Sequence, residues 1–385
     1  MKRSVERILT THVGSLPRPP SLTELLVRQE AGEPVDANVL RREMADAVRY
    51  VVEKQIESGV DIINDGEQPR VGFQTYVPLR MKGFGGVSTR KPPTDMTAHP
   101  DMFAIMARRF PSSGKISNAP QAIAEVRYED FSAATEELDL FDAATEGVQY
   151  TDRFMTAPSP GIISTTMLNA YYDSHENYVF ALAREMKKEY ALIAARGLVL
   201  QIDSPDLAME RTMQFQDKSL AEFLDIARMH VAALNEAIAG IPRDQVRLHC
   251  CWGNWEGPHV HDVPLTEILP VLYGANVGAL SVEFANPRHQ HELAAFKSRP
   301  FPADRVLIPG VLDSTTNYVE HPEVVANRIC AAVDAVGDRT RVIAGTDCGF
   351  GTFAGYEFIA PSIVWAKLKA CAAGAAIATK RLKGA

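Results

Sequence analysis

"ENYVFALAREMKKEYALIAARG" at residues 176–197 runs directly into "LVLQIDSP" at 198–205. The first part is amphipathic and closes on Gly197, the residue type that best accepts the left-handed turn at a helix end. The second is a short, β-rich apolar run that stops abruptly on polar or small residues. This unit of helix then strand recurs along the chain. Eight runs share the strand pattern: "RILTTHVGS" (7–15), "VDIINDGE" (60–67), "DRFMTAPSPG" (152–161), "GLVLQIDSP" (197–205), "QVRLHCCWGN" (245–254), "VGALSVEFAN" (277–286), "DRVLIPGVLDS" (304–314) and "TRVIAGTDCG" (340–349). Amphipathic stretches lie between them. One opens at Asp36, a natural cap, and ends at Gly59; another spans 218–240 and ends at Gly240. Strands that alternate with helices imply parallel pairing through crossovers. Eight at regular spacing predict an α/β fold, a single (β/α)8 TIM barrel over 1–385. No G-x-G-x-x-G follows any run to support an open dinucleotide-binding sheet. Residues 83–150 fit the alternation poorly and read as an insertion after the second strand, a lid or small subdomain.

The bulk properties narrow the function. The 385 residues, 46% hydrophobic, are ample for one large barrel. A net charge of −8 gives no footprint for nucleic acid or an anionic membrane surface. No secretory signal or membrane span is legible. Five cysteines are too sparse and odd a set for a disulfide scaffold, and they point to the reducing cytoplasm. The expected partners are small molecules, with assembly into a homo-oligomer left open.

In such barrels the chemistry gathers at the C-terminal ends of the strands. Those ends carry His12, Gly14 and Ser15, then Asp65 and Glu67, then Ser159, Asp203, His249 and Cys251, Glu283, Asp313, and Asp347 with Cys348. Because strand side chains alternate, His249 and Cys251 share a face while Cys250 turns toward the helices. Singly, each is a core cysteine or a hydrogen-bonded histidine. Together at equivalent strand ends, His249, Cys251, Glu283 and Cys348 make a tetrahedral zinc set, and their thiolates favour Zn2+ over magnesium or calcium.

At these residues the chain resembles the catalytic barrel of cobalamin-independent methionine synthase. "HCCWGN", "VEFAN" and "GTDCG" are similar to that family's zinc-site segments, and "THVGSLPRP", "NDGEQPR" and "LQIDSP" to its other site segments, in order along nearly the whole barrel. The resemblance implies zinc on His249, Cys251, Glu283 and Cys348. It also implies that Ser15, Glu67 and Asp203 hold the amino acid part of homocysteine. Glu67 and Asp203 would pair with its ammonium, and the amides around Gly14 and Ser15 with its carboxylate. The expected reaction is methyl transfer to a small thiol, homocysteine first, from methyl-tetrahydrofolate, with Glu283 the ligand that yields to the incoming sulfur. The family's His-Gly-Glu is here Asp65-Gly66-Glu67, its Ile-Asp-Glu-Pro is Ile202-Asp203-Ser204-Pro205, and the histidine that is its candidate proton donor aligns with Thr315. Asp313, or His321, is the substitute acid this leaves, unless the donor is not a folate.

Other residues receive weaker assignments. His12 on the rim and Trp252 after the H-x-C pair are candidate substrate contacts, and Trp255 a second wall of the pocket. "GPHVHD" offers His259, His261 and Asp262 as a second metal site, though alternate histidines in a loop more often line a pocket. His289 and His291 are similar. Cys330 and Cys371 fall on helical periodicity and read as core. An epoxyalkane–coenzyme M transferase would keep the H-x-C…C zinc set but need basic residues for a sulfonate, and Arg18, Arg70 and Arg80 are its candidates. A uroporphyrinogen-type decarboxylase shares the barrel but has no use for these ligands. A non-catalytic zinc-binding barrel would not need the carboxylates on the same rim.

Overall fold

A computed structural model describes residues 1–109, 119–356 and 359–383. The eight runs become eight strands: β1 (Leu9–Thr10), β2 (Ile62–Ile63), β3 (Asp152–Pro158), β4 (Val199–Asp203), β5 (Val246–Cys250), β6 (Ala279–Val282), β7 (Val306–Leu312) and β8 (Ile343–Thr346). They form one parallel sheet in which β2 through β8 follow chain order and β1 pairs with β8. The seam between β1 and β2 is tied by the Asp61 amide on the Thr10 carbonyl (3.1 Å) and the Thr11 hydroxyl on the Ile62 carbonyl (3.1 Å). The result is the expected (β/α)8 barrel.

The helices end where the sequence says they should. Asp36 caps Ala37–Glu57 by accepting from the amides of Asn38 and Val39. Ser219 and Glu222 form a reciprocal capping box at the start of Leu220–Ala237. Gly59, Gly197 and Gly240 follow their helices at positive φ. Burying the inner face of this ring against the strands makes the main core, which holds Cys250 with Leu248 and Val246.

A second, smaller core lies inside the barrel. Leu9, Ile62, Phe154, Val199, Ala279, Val306, Ile308 and Ile343 fill its lower layer. Because side chains on a strand point inward at every second residue, Val199 is followed inward by Gln201 and then Asp203, and Arg247 by His249 and then Cys251. The interior therefore turns polar as it rises. Arg247 is completely buried there, its guanidinium 3.6 Å from the Phe154 ring centroid. It donates to Gln201 Oε1, Thr11 Oγ1 and the His12 carbonyl.

The insertion is smaller than the sequence suggests. Lys82–Gly85 and Gln121–Arg127 form an antiparallel pair apart from the barrel, with helices Thr94–Ala98 and Pro100–Arg109 between them. Residues 110–118, within the expected 83–150 segment, lie outside the described residues. The helix Ser132–Thr145 belongs to the outer ring instead. It packs on Ala37–Glu57 and buries Leu138 and Phe141 in the main core. No described helix is long and apolar enough to cross a membrane.

Candidate active site

A cavity opens at the C-terminal end of the barrel, lined by ends of several strands and by the insertion. Ser15, Glu67, Asp203, His249, Cys251, Trp252 and Cys348 all reach it. Arg90, Pro93, Asp95 and Met96 of the insertion line it too, with Met209, Met213, Phe73 and Phe353. This segment therefore forms part of the cavity wall.

At the floor, ligand atoms of His249, Cys251 and Cys348 lie within 4.8 Å of one another, and all three residues are buried. Neither ring nitrogen of His249 has an oxygen or nitrogen partner; its polar neighbour is the Cys251 thiol. A buried imidazole without such partners is costly, and a metal ion would satisfy it. The hydrogen bond from the Cys348 thiol, and then His249, draw Cys251 well below the ordinary thiol range against the effect of burial. The donor set therefore fits a thiophilic cation.

Glu283 does not join that group of three. Its Oε1 accepts the Trp252 amide (3.0 Å) and its Oε2 the Asn286 side-chain amide (2.7 Å). Burial, then Cys251 and Asp347, push its carboxyl well up. The reason it stands back is the loop after β6, which Asp347 gathers by accepting the amides of Phe284, Ala285 and Asn286.

The carboxylates of the wall make no direct salt bridge to an arginine or lysine among the described residues. Glu67 sits at φ +54°, its Oε1 accepting from Thr156 Oγ1 (2.9 Å) and its buried Oε2 without a partner. Burial raises its pKa, opposed by Arg70 and Arg18. Burial also raises Asp203, to about 8, with Glu67 adding to the rise and His249 opposing it. Two carboxyls raised by burial beside one cavity, with one Glu67 oxygen unpartnered, leave room for a positive group. Gly14 makes room for them. At φ +144°, a Cβ there would lie 2.7 Å from Glu67 Oε1 and 2.6 Å from Thr156 Cγ2.

Four expectations change. His12 is not among the cavity-lining residues. Its Nε2 is paired with Gln55 Oε1 (2.8 Å) and its ring packs on Phe154, because residue 12 precedes the turn that brings Ser15 to the rim. Asp313 does not line the cavity either. Its carboxylate accepts from the amide and hydroxyl of Thr315 and from the hydroxyl of Thr316, so it organises its own loop. His321 caps the helix Pro322–Val336. The basic candidates for a sulfonate are also engaged elsewhere: Arg70 with Glu137, Arg80 with Glu137 and Glu189, and Arg18 with the carbonyls of Gly351 and Glu67.

The "GPHVHD" loop is divided. His261 turns to Asp95 of the insertion (2.6 Å). His259 and Asp262 line the cavity, and His289 joins them from the loop after β6. Trp252 stacks on His289 with ring centroids 4.0 Å apart. Cys371 is buried in the core and Cys330 packs against it, as expected. Sequence reading missed Thr156, Asn254 and Asn286. Asn254 ties three loops by hydrogen bonds to the Gly349 carbonyl, Thr352 Oγ1 and Ser314 Oγ. Neutral side chains of this kind carry no signal in sequence, since their role is set by what stands opposite.

The catalytic-domain model of the cobalamin-independent synthases matches residues 154–363, more than half of the chain. The chain belongs to this family. It is 25% identical over 378 residues to a methionine synthase of Saccharolobus solfataricus, covering 97% of this chain and 96% of that one. A methionine synthase of Sulfolobus acidocaldarius is 26% identical over 332 residues, 85% of this chain and 81% of the other. Among solved structures, a B12-independent methionine synthase from Shewanella sp. W3-18-1, in complex with selenomethionine, superposes with a TM-score of 0.73. It is 22% identical, covers 98% of this chain and 100% of its own, and shares the fold. This family member is thus an enzyme of the methyltransferase type, with a group of residues able to hold a metal ion.

Proposed function

We propose that this synthase-family barrel transfers a methyl group to the sulfur of homocysteine, with methyl-tetrahydrofolate as donor and zinc held by His249, Cys251 and Cys348. The observation that carries the reading is the His249 imidazole, buried without an oxygen or nitrogen partner beside two thiols on the floor of a carboxylate-walled cavity. Zinc bound there would supply a deprotonated substrate thiol at neutral pH, where a free thiol of pKa about 8.5 is mostly protonated.

The protein's own residues do the rest. Glu67, with one carboxylate oxygen unpartnered, and Asp203 across the cavity are placed to receive the ammonium of an amino acid. Ser15 on the opposing turn can meet its carboxylate. Glu283, anchored by Trp252 and Asn286 outside the group of three, leaves the fourth position to the substrate sulfur and tunes the site through its charge near Cys251. The engagement of Arg18, Arg70 and Arg80 elsewhere favours an amino-acid thiol over a sulfonate thiol.

The test is the zinc-loaded protein with homocysteine and methyl-tetrahydrofolate, counting methionine by mass spectrometry, with Cys251→Ser as blank and zinc content measured on both. Methionine from the wild type alone supports the reading. A zinc-loaded wild type that leaves homocysteine unchanged with this donor refutes the folate assignment.

A further inference from the structure

An amine such as methyl-tetrahydrofolate leaves poorly unless its nitrogen is protonated as the carbon–nitrogen bond breaks. Thr315 stands where the family's histidine would be, and Asp313 is spent on its own loop, so the wall must supply the proton from elsewhere.

Four observations converge on the loop after β5. His259 lines the cavity, with its side chain 13% exposed. It sits at φ +52°, and among the described residues only Glu67 shares a positive φ without being glycine. Such backbone strain gathers at functional sites; here both instances face one cavity. Third, the ring is fixed from behind. His259 Nδ1 is 2.9 Å from Asp262 Oδ2, which also meets His289 Nε2 at 3.0 Å, while His289 Nδ1 meets Glu292 Oε2 at 2.8 Å. Fourth, His259 Nε2 lies 3.1 Å from the Trp255 carbonyl, a single neutral backbone partner on the same turn that a ligand could replace.

We propose that His259 is the general acid of this enzyme, giving its Nε2 proton to the leaving nitrogen of the methyl donor. The assignment rests on the methyl-transfer reading above and names the residue that does the work of the missing histidine. In the step, the donor's nitrogen–methyl bond breaks as the sulfur–methyl bond forms. The proton from Nε2 ends on the donor nitrogen, and His259 is left as a neutral imidazole still hydrogen-bonded to Asp262. The charge of the thiolate and that of the imidazolium cancel, so the products are neutral at these atoms.

The surroundings keep the proton available. Burial pushes the His259 pKa down, but the hydrogen bond and charge of Asp262 and the Trp255 carbonyl outweigh it, for a net rise, with His289 opposing. His289, between Asp262 and Glu292, is itself raised to about 9. Arg288 faces only the His259 backbone, donating to its carbonyl (3.0 Å). The same three side chains could alternatively hold a metal ion. Yet the Nδ1 and Nε2 atoms aim at one shared carboxylate oxygen, and their outer nitrogens are also satisfied, which is complete without an ion.

The test compares zinc-loaded wild type, His259→Gln and Asp262→Asn with homocysteine and two donors. Methyl-tetrahydrofolate needs a proton at its leaving nitrogen; methyl iodide does not, since iodide leaves as such. We expect His259→Gln to lose on the order of 10²–10⁴-fold in kcat with the folate, and to stay within a few-fold of wild type with methyl iodide. The wild-type folate rate falls as pH rises through the His259 pKa, and Asp262→Asn moves that fall to lower pH. NMR titration of the His259 ring in the same proteins should show the same displacement. Equal losses with both donors, or no loss with the folate, overturn the assignment, as does a second zinc per chain that His259→Gln removes. If wild type alkylates with methyl iodide but never uses the folate, the acid assignment fails while thiol activation stands. If it uses neither donor, the methyl-transfer reading falls and takes the acid with it.

Discussion

At the scale of single residues, the site depends on a few atoms whose partners are missing or close. Gly14 is one. A methyl group there would press on Glu67 Oε1 and Thr156 Cγ2, both under 3 Å away, on a backbone that L-residues rarely adopt. Gly14→Ala should therefore displace the Glu67 carboxylate and raise KM for the amino-acid thiol at least tenfold, with zinc content unchanged; steady-state kinetics beside metal analysis checks both. His249 is another. His249→Ala and Cys251→Ser should each abolish stoichiometric zinc binding, read by metal analysis after dialysis. Glu283→Gln should retain the metal with affinity weakened about 10–100-fold, the range for groups that tune rather than carry a site. A Glu283→Gln protein as metal-free as Cys251→Ser would make Glu283 a full ligand after all.

At the scale of elements, the outer ring is locked by buried charge rather than by apolar packing alone. Glu137, on the helix Ser132–Thr145, accepts from Arg70 Nε (2.7 Å) and Arg80 Nη2 (3.0 Å), and all three side chains are nearly inaccessible. Burial would raise this carboxyl, but the two guanidiniums win and hold it at about 2. The sign follows. A carboxyl whose folded pKa lies below its unfolded 4.5 contributes its full stabilisation above pH about 4.5 and loses it as pH falls toward 2. Glu137→Gln leaves the arginines short of charge and should cost about 3–5 kcal/mol at neutral pH. The mutant should also show a weaker dependence of Tm on pH between 4.5 and 2 than wild type, which calorimetry can follow. Arg70 also donates to the carbonyl and hydroxyl of Thr156, the residue that holds Glu67, so this outer lock reaches the cavity wall.

At the scale of the whole molecule, a metal that binds only the folded barrel must stabilise all of it. At a hundredfold excess over Kd that amounts to about 2.7 kcal/mol, a few degrees in Tm for a chain of this size. Removing zinc with a chelator should lower the wild-type Tm by that amount and leave Cys251→Ser unmoved, in differential scanning calorimetry. An identical Tm with and without chelator would place the metal outside the folding equilibrium.

The amino-acid order alone determined the eight strands, their parallel sense and the rim residues they deliver. The alternation of short apolar runs with capped amphipathic stretches admits few other folds, and the parity of a strand assigns His249 and Cys251 to one face. Gly59, Gly197 and Gly240 stop their helices for a reason local to each turn. Other outcomes needed the folded chain. Arg247 looks like an ordinary strand cation, yet the barrel buries it among Gln201, Thr11 and Phe154. Helix Ser132–Thr145 reads as part of an insertion until its packing on Ala37–Glu57 assigns it to the ring. Asp313 and His259 are both polar loop residues in sequence. Only the hydrogen bonds made by their neighbours turn one inward on its own loop and set the other at the cavity. The physical reason is range: capping, periodicity and strand parity act within one element, whereas a buried charge such as Arg247 or Glu137, and the wall a loop residue faces, are decided by other elements far along the chain.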